Sequence, residues 1–126
     1  MPIGGDDAAG GRAVRPGTKL IRDLLADRIP KEALSVVSSA DEHRTRLADK
    51  TREEVDEIVS SSYIDPAEYA DALESLMALA RLSGVSWAEV ERVRLRKLGE
   101  RGGFSLGLVY DPSLDPTRSD APQQPV

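Results

Sequence analysis

Carboxylate side chains occur as two close pairs in the middle of the chain. Glu54 and Glu57 lie in one segment, and Glu68 and Asp71 lie in the next. Because residues three apart share one face of a helix, each pair projects from one side of its own helix. Two helices joined by a short connection normally lie antiparallel and face to face. The sequence therefore predicts that these carboxylates surround one point.

Carboxylates that converge in this way require a cation or bound protons, because like charges in a partly dry site repel strongly. All-oxygen ligation suits hard divalent cations, and Mg²⁺ or Mn²⁺ suits it best. The alternative is a solvated surface, since glutamate pairs are common on exposed helix faces. Two observations favour burial: Glu54 falls on a stripe with Leu47 and Ile58, and segment 66–82 is apolar on nearly every side. The predicted metal ligands are Glu54, Glu57, Glu68 and Asp71.

The spacing of these acids, EExxE followed by ExxD, resembles the signature of the MazG-like, all-α nucleotide pyrophosphohydrolases. The run KLIRD at 19–23, with Ile29-Pro30 beyond it, is similar to the opening of the phosphoribosyl-ATP pyrophosphohydrolase-like branch. Arg94, Lys97 and the run ERGGF at 100–104 are similar to the end of that branch. The resemblance covers about residues 18–110, and the connection between the acidic motifs, residues 58–67, is short for the family.

This resemblance implies an antiparallel helical bundle of the all-α NTP pyrophosphatase type, with a short extended segment after the last helix. It implies Mg²⁺-dependent hydrolysis of a nucleoside triphosphate between the α and β phosphates, which yields a monophosphate and pyrophosphate (Mn²⁺ is possible). It also implies a homodimer or a dimer of dimers. Glu53, Glu54 and Glu57 would be catalytic, with Glu53 either orienting the attacking water as a base or binding a second metal. The implied phosphate-binding residues are Lys19, Arg22, Arg94, Lys97 and Arg101.

Other interpretations of the same residues stay open. A non-hydrolysing nucleotide-binding or regulatory module would keep the ligands without turnover, and an acidic helical interaction module would have no metal at all. Glu68 has a conflict of its own, because it lies three residues after Asp65 and could close a capping box at the start of a helix. We favour the metal for Glu68, since Asp71 follows one turn later on the same face.

Composition restricts the class of protein. The chain has 126 residues, enough for one domain, with a net charge of −5 and a pI near 4.9, which argues against binding to a nucleic-acid backbone. It has no Cys and a single His, so thiolate zinc sites and His-rich metal sites are excluded. Without a long apolar run or a leader-like N-terminus, we expect a cytoplasmic protein that does not contact a membrane.

The periodicity of apolar residues predicts the elements that position these side chains. We expect a flexible arm over 1–17, a helical domain over 18–110 and a disordered tail over 111–126. Within the domain, Thr18 would cap a short helix that stops at Pro30, Asp41 would cap a long helix over about 42–60, and a helix over 66–82 would follow. Ser86 would cap the last helix, which runs to about Glu100, and residues 104–110 would be extended.

Overall fold

The computed structural model describes residues 17–118, and within that range the protein is helical and contains no β-strand. The three α-helices are α1, Ala40–Ser60, α2, Pro66–Leu82, and α3, Trp87–Arg101. Three short 3-10 helices flank them, at Asp23–Arg28, Lys31–Ala33 and Pro112–Leu114. The all-α class predicted from the sequence is confirmed. The predicted flexible arm up to residue 16 and the predicted tail from residue 119 onward lie outside the described residues.

The chain divides into two compact units, with the division between Trp87 and Ala88. In the first unit, α1 and α2 pack against each other. Leu47 of α1 is the one apolar side chain among residues 17–118 that is buried. A polar contact accompanies it, because Thr51 Oγ1 lies 3.0 Å from Oγ of the buried Ser75 of α2. The helix pair therefore has a thin interior, with hydroxyl groups where larger apolar side chains would normally lie.

The start of α1 differs from the prediction. The N-cap is Ser39 instead of Asp41: its backbone is extended, and its Oγ accepts a 3.0 Å hydrogen bond from the Glu42 backbone N–H. Asp41 lies inside the first turn and pairs with Arg44. Ser39 is the cap because Glu42, three residues after it, stabilises this start of the helix. The Glu42 side chain folds back, and its Oε1 accepts a hydrogen bond from the Ser38 N–H at 2.8 Å.

The predicted helix at 18–29 is also wrong in its extent. Only Asp23–Arg28 is helical, with 3-10 geometry, and no residue in it is buried. Leu24 and Leu25 are exposed, so this part of the apolar stripe gains little from packing, and propensity alone does not hold a short helix. Thr18 is not a cap; its Oγ1 accepts a 3.2 Å hydrogen bond from Arg46 Nη1 of α1.

The second unit begins at Ala88, within α3. Beyond α3, the predicted extended segment 104–110 is not a strand: it begins with a turn in which the Gly107 N–H lies 3.3 Å from the Phe104 carbonyl oxygen. Residues 111–118, which belong to the predicted tail, contain the short helix Pro112–Leu114. Asp111 caps that helix by accepting from the Ser113 N–H.

Candidate metal centre

Three of the four predicted metal ligands converge in the first unit. Glu54 comes from α1, and Glu68 and Asp71 come from successive turns of α2. One carboxylate oxygen from each residue lies within 4.8 Å of the others. Glu54 is 8% exposed, while Glu68 and Asp71 are half-buried. The two helices therefore bring together an all-oxygen donor set, here called the acidic group, and such donors suit a hard divalent cation.

Glu57, the fourth predicted ligand, lies outside the acidic group. It is one turn beyond Glu54 on α1, and its side chain is exposed. Its negative charge nevertheless acts on Glu68, whose pKa it helps to raise. The structure therefore places Glu57 at the edge of the group instead of in it.

The surroundings of Glu68 disfavour the charged form of its carboxylate. Partial desolvation raises its pKa above the ordinary value, and the negative charges of Glu57, Asp65, Asp71 and Glu54 raise it further. These are the marks of a carboxylate placed among like charges without a compensating cation. Removal of a charge near it, or arrival of a cation, would relieve that repulsion.

Within the described residues, Glu68 does not complete the capping box at the start of α2, and its role as a metal ligand stays a prediction. Asp65 is the N-cap and accepts a 2.9 Å hydrogen bond from the Ala67 N–H, and Pro66 occupies the first helical position. The Glu68 backbone N–H bonds the Asp65 carbonyl oxygen, while its carboxylate lies with the acidic group instead of on the cap. The capping box is therefore not closed.

Two cationic side chains contact the acidic group. Arg22 Nη2 lies 2.6 Å from Asp71 Oδ1, and Lys50 Nζ lies 3.3 Å from Glu54 Oε2 and 3.6 Å from Glu53 Oε1. Arg22 is a predicted phosphate ligand, whereas no role was predicted for Lys50. The signal for Lys50 was available, because a lysine one turn before Glu54 on the same helix face is within reach of its carboxylate.

An open cavity of about 230 Å³ adjoins Lys50, between the segment before the first 3-10 helix and α1. Lys19 lines it, and so do Lys50 and Glu53, the predicted water-orienting residue. The predicted phosphate ligand Lys19 and the predicted catalytic Glu53 therefore share one cavity. Its remaining lining residues are Thr18, Leu20, Arg46 and Asp49.

The other predicted phosphate ligands, Arg94, Lys97 and Arg101, are all on α3 in the second unit. Arg94 is engaged within its own helix, where its Nε lies 3.0 Å from a Glu91 carboxylate oxygen and its Nη2 contacts the same atom. Lys97 and Arg101 are exposed. Their role as phosphate ligands stays a prediction.

Comparison of the chain with protein-family models, with curated proteins and with solved structures finds no match in any of the three. The resemblance to the MazG-like family and the activity that it implies therefore remain predictions, which depend on the residues themselves. Of the helices within residues 17–118, none combines the length and the apolar character needed to cross a membrane.

Proposed function

We propose that this protein is a Mg²⁺-dependent nucleotide pyrophosphohydrolase, which cleaves a nucleoside triphosphate or a related nucleotide between its α and β phosphates. The observation that carries the proposal is the convergence of Glu54, Glu68 and Asp71 from two helices onto one small volume. Glu54, one of these three, is buried, and a buried carboxylate needs a compensating charge.

The donor set supports a divalent cation of the Mg²⁺ or Mn²⁺ type. All three donors are carboxylates, and partial desolvation together with neighbouring negative charges raises the pKa of Glu68. Glu57, at the edge, is close enough to join as a further ligand or to hold a water. When bound, the cation would neutralise phosphate charge and lower the pKa of a bound water.

We assign the remaining roles, in activating water and in binding phosphate, to the following residues. Glu53 and Glu57, both exposed at the edge of the acidic group, orient the attacking water and accept its proton. Lys19, in the cavity beside Glu53, and Arg22, at Asp71, neutralise phosphate oxygens. We assign the same role to the basic residues of α3, namely Arg94, Lys97 and Arg101.

We also propose that the helices form an antiparallel bundle of the MazG type and that two copies complete it, as a homodimer or a dimer of dimers. Unpaired apolar faces of α1 and α2 support this. Val55 and Val59 on α1, and Tyr69, Leu73 and Leu76 on α2, are between 44% and 51% exposed. Both sets repeat at helical spacing, so each helix has an apolar stripe that a second copy would cover.

Light scattering after gel filtration tests the assembly. The double variant Leu73→Glu/Leu76→Glu should run as a monomer, while Leu24→Glu, at a leucine that is already 91% exposed, should keep the wild-type mass. A wild-type monomer at all concentrations would remove this part of the proposal and leave the chemistry open.

The activity is tested by incubating the protein with a panel of canonical and modified nucleoside triphosphates and Mg²⁺ or Mn²⁺, and separating the products. Monophosphate plus pyrophosphate, abolished by EDTA, is the expected result. Binding without turnover, seen as metal-dependent thermal stabilisation by the nucleotide, would instead support the non-hydrolysing module. If neither turnover nor stabilisation occurs with any nucleotide, the acidic interaction module is the better description.

A further inference from the structure

We infer that Arg22 and Lys50 are resident counterions of the acidic group, which a divalent cation must displace, and that the displaced Arg22 then binds the phosphate of the incoming ligand. This inference rests on the proposed function, because it takes the acidic group as a metal centre. It goes further in giving Arg22 two successive partners, Asp71 before the cation binds and a phosphate afterwards.

Two contacts carry the inference, one between distant parts of the first unit and one within α1. Arg22 reaches Asp71 across 49 positions of sequence with a 2.6 Å contact, and Lys50 lies 3.3 Å from Glu54. Within residues 17–118, Glu68 is the one member of the acidic group that forms no ion pair. Two of the three members of the acidic group are thus already neutralised by cationic side chains.

A divalent cation and these side chains compete for the same oxygens. A metal ion coordinated by Asp71 would lie close to the guanidinium, and the two positive charges would repel. The Arg22–Asp71 pair is the weaker competitor, because its side chains are 56% and 40% exposed and water screens them. The pair should therefore yield to the cation instead of excluding it.

The displaced Arg22 would stay at the site, since the segment that carries it is tied at its other end. Thr18 accepts a hydrogen bond from Arg46 of α1 at 3.2 Å, and Lys19, between Thr18 and Arg22, lines the cavity. A guanidinium held near a metal-bound phosphate offers two parallel N–H donors in a geometry that fits phosphate oxygens. Residues 18–22 would then act as a strap, with Arg22 passing from a carboxylate to a phosphate.

Calorimetric titration of the full chain with Mn²⁺ alone tests the competition. Arg22→Gln should tighten Mn²⁺ binding by about three- to ten-fold, since a weak competitor is removed. The matched control is Arg44→Gln, which makes the same charge change and breaks an Arg–Asp pair with Asp41 in the first turn of α1. The control should change the affinity by less than about two-fold. Equal or weaker Mn²⁺ binding by Arg22→Gln would overturn the inference.

Titration with inorganic pyrophosphate at saturating Mg²⁺ tests the transfer to phosphate. Here Arg22→Gln should weaken binding by about ten-fold, because a charge-assisted bidentate contact is lost, while Arg44→Gln binds as the wild type does. The change of sign between the two titrations is the signature of a residue that leaves the metal site for the phosphate. Pyrophosphate binding that Arg22→Gln leaves unchanged would contradict the transfer.

The two proposals can fail separately. If the wild type binds Mn²⁺ and Glu54→Gln does not, the metal centre is supported. An Arg22→Gln variant that binds Mn²⁺ with the wild-type affinity would then contradict only the counterion exchange. If neither the wild type nor any variant binds Mn²⁺, the proposed function fails and the exchange fails with it. Circular dichroism of each variant confirms that it is folded before it is titrated.

Discussion

The carboxylates near the two ends of α1 have opposite electrostatic surroundings. Near the start of the helix, Glu42 accepts from the Ser38 N–H and hydroxyl at 2.8 Å and from Arg46 Nε at 2.8 Å. These hydrogen bonds, the backbone one first, lower the pKa of Glu42 from 4.5 to about 2. Near the other end, Glu54 faces two acids of α2, and the pKa of Glu68 is raised.

The backbone shows the same contrast. Ser39 caps the start of α1 with ordinary extended geometry, whereas the helix leaves its other end through Ser62 and Tyr63, with φ of 61° and 70°. Such values are costly for residues other than glycine. Unfavourable electrostatics and unfavourable backbone geometry therefore occur together at the end of α1 that carries the candidate site. This is the distribution expected where function is maintained at the expense of stability.

The largest expected effect is on turnover. Glu54→Gln keeps the size of the side chain but removes a buried ligand, so we expect turnover of the nucleotide identified by the panel to fall by more than about 100-fold. Glu42→Gln, the same change at the other end of the same helix, should retain most of the wild-type rate. Comparable losses in both variants would show that the difference between the two ends has no functional meaning.

The next effect is on stability without metal. In EDTA, Glu68→Gln should raise the melting temperature by about 2–5 °C, because it removes a charge from a repulsive group. Glu42→Gln should lower the melting temperature by a similar amount, because it removes the charge that Ser38 and Arg46 stabilise. Added Mg²⁺ should reverse the order of the melting temperatures of the wild type and Glu68→Gln, since the wild type then binds the cation through a carboxylate that the variant lacks. Thermal denaturation followed by circular dichroism measures these three changes in melting temperature.

The pH dependence of stability separates the two carboxylates further. The folded protein holds Glu42 ionised down to about pH 2, so its stabilisation is complete above the ordinary pKa of 4.5 and is lost as the pH falls from 4.5 towards 2. Glu68 has the opposite sign: with its pKa raised by folding, stability falls as the pH rises from 4.5 through the folded pKa.

Urea denaturation in EDTA across pH 2–8 checks this. The difference between wild type and Glu42→Gln should disappear at the acid end, and the advantage of Glu68→Gln should appear only above about pH 4.5. If Glu68→Gln shows the same advantage at every pH, its effect comes from packing instead of charge.

Local patterns in the sequence were sufficient to predict much of this unit, and they failed where a competing contact decided the outcome. The all-α class and helix α2 with its Asp65 cap follow from apolar spacing and the Asp-Pro start. The convergence of Glu54, Glu68 and Asp71 follows from helical periodicity together with a short connection. The cap of α1 was misplaced because Asp41 and Ser39 are both good caps, and the choice depends on the hydrogen bonds that follow.

Other features need three-dimensional information. Glu57 has the spacing of a ligand, but spacing fixes only the side of the helix, and in the structure Glu57 is exposed and lies outside the acidic group. Similarly, the contact of Arg22 with Asp71 joins parts of the chain 49 positions apart, which no local pattern encodes. The short helix at 18–29 was predicted from an apolar stripe, yet Leu24 and Leu25 of that stripe are exposed in the structure.

The smallest expected effect concerns the backbone at the strained end of α1. The Tyr63 N–H bonds the Ile58 carbonyl and the Ser62 N–H bonds the Val59 carbonyl, which is the hydrogen-bonding pattern of a Schellman motif. The end of α2 repeats it with Gly84, φ 78°, at the position that corresponds to Ser62. Glycine at this position has no Cβ to strain, so α2 ends without the cost that α1 bears.

Ser62→Gly should therefore stabilise the protein by about 0.5–1 kcal/mol, the relief of left-handed geometry less the greater chain entropy of glycine. The reverse change, Gly84→Ser, should destabilise it by a similar amount, and Ser39→Ala, which removes the cap at the relaxed end, by about 1 kcal/mol. Urea denaturation measures each difference. If Ser62→Gly is less stable than the wild type, the Ser62 side chain stabilises the end of α1. The unfavourable free energy at this end would then come from repulsion among the carboxylates alone.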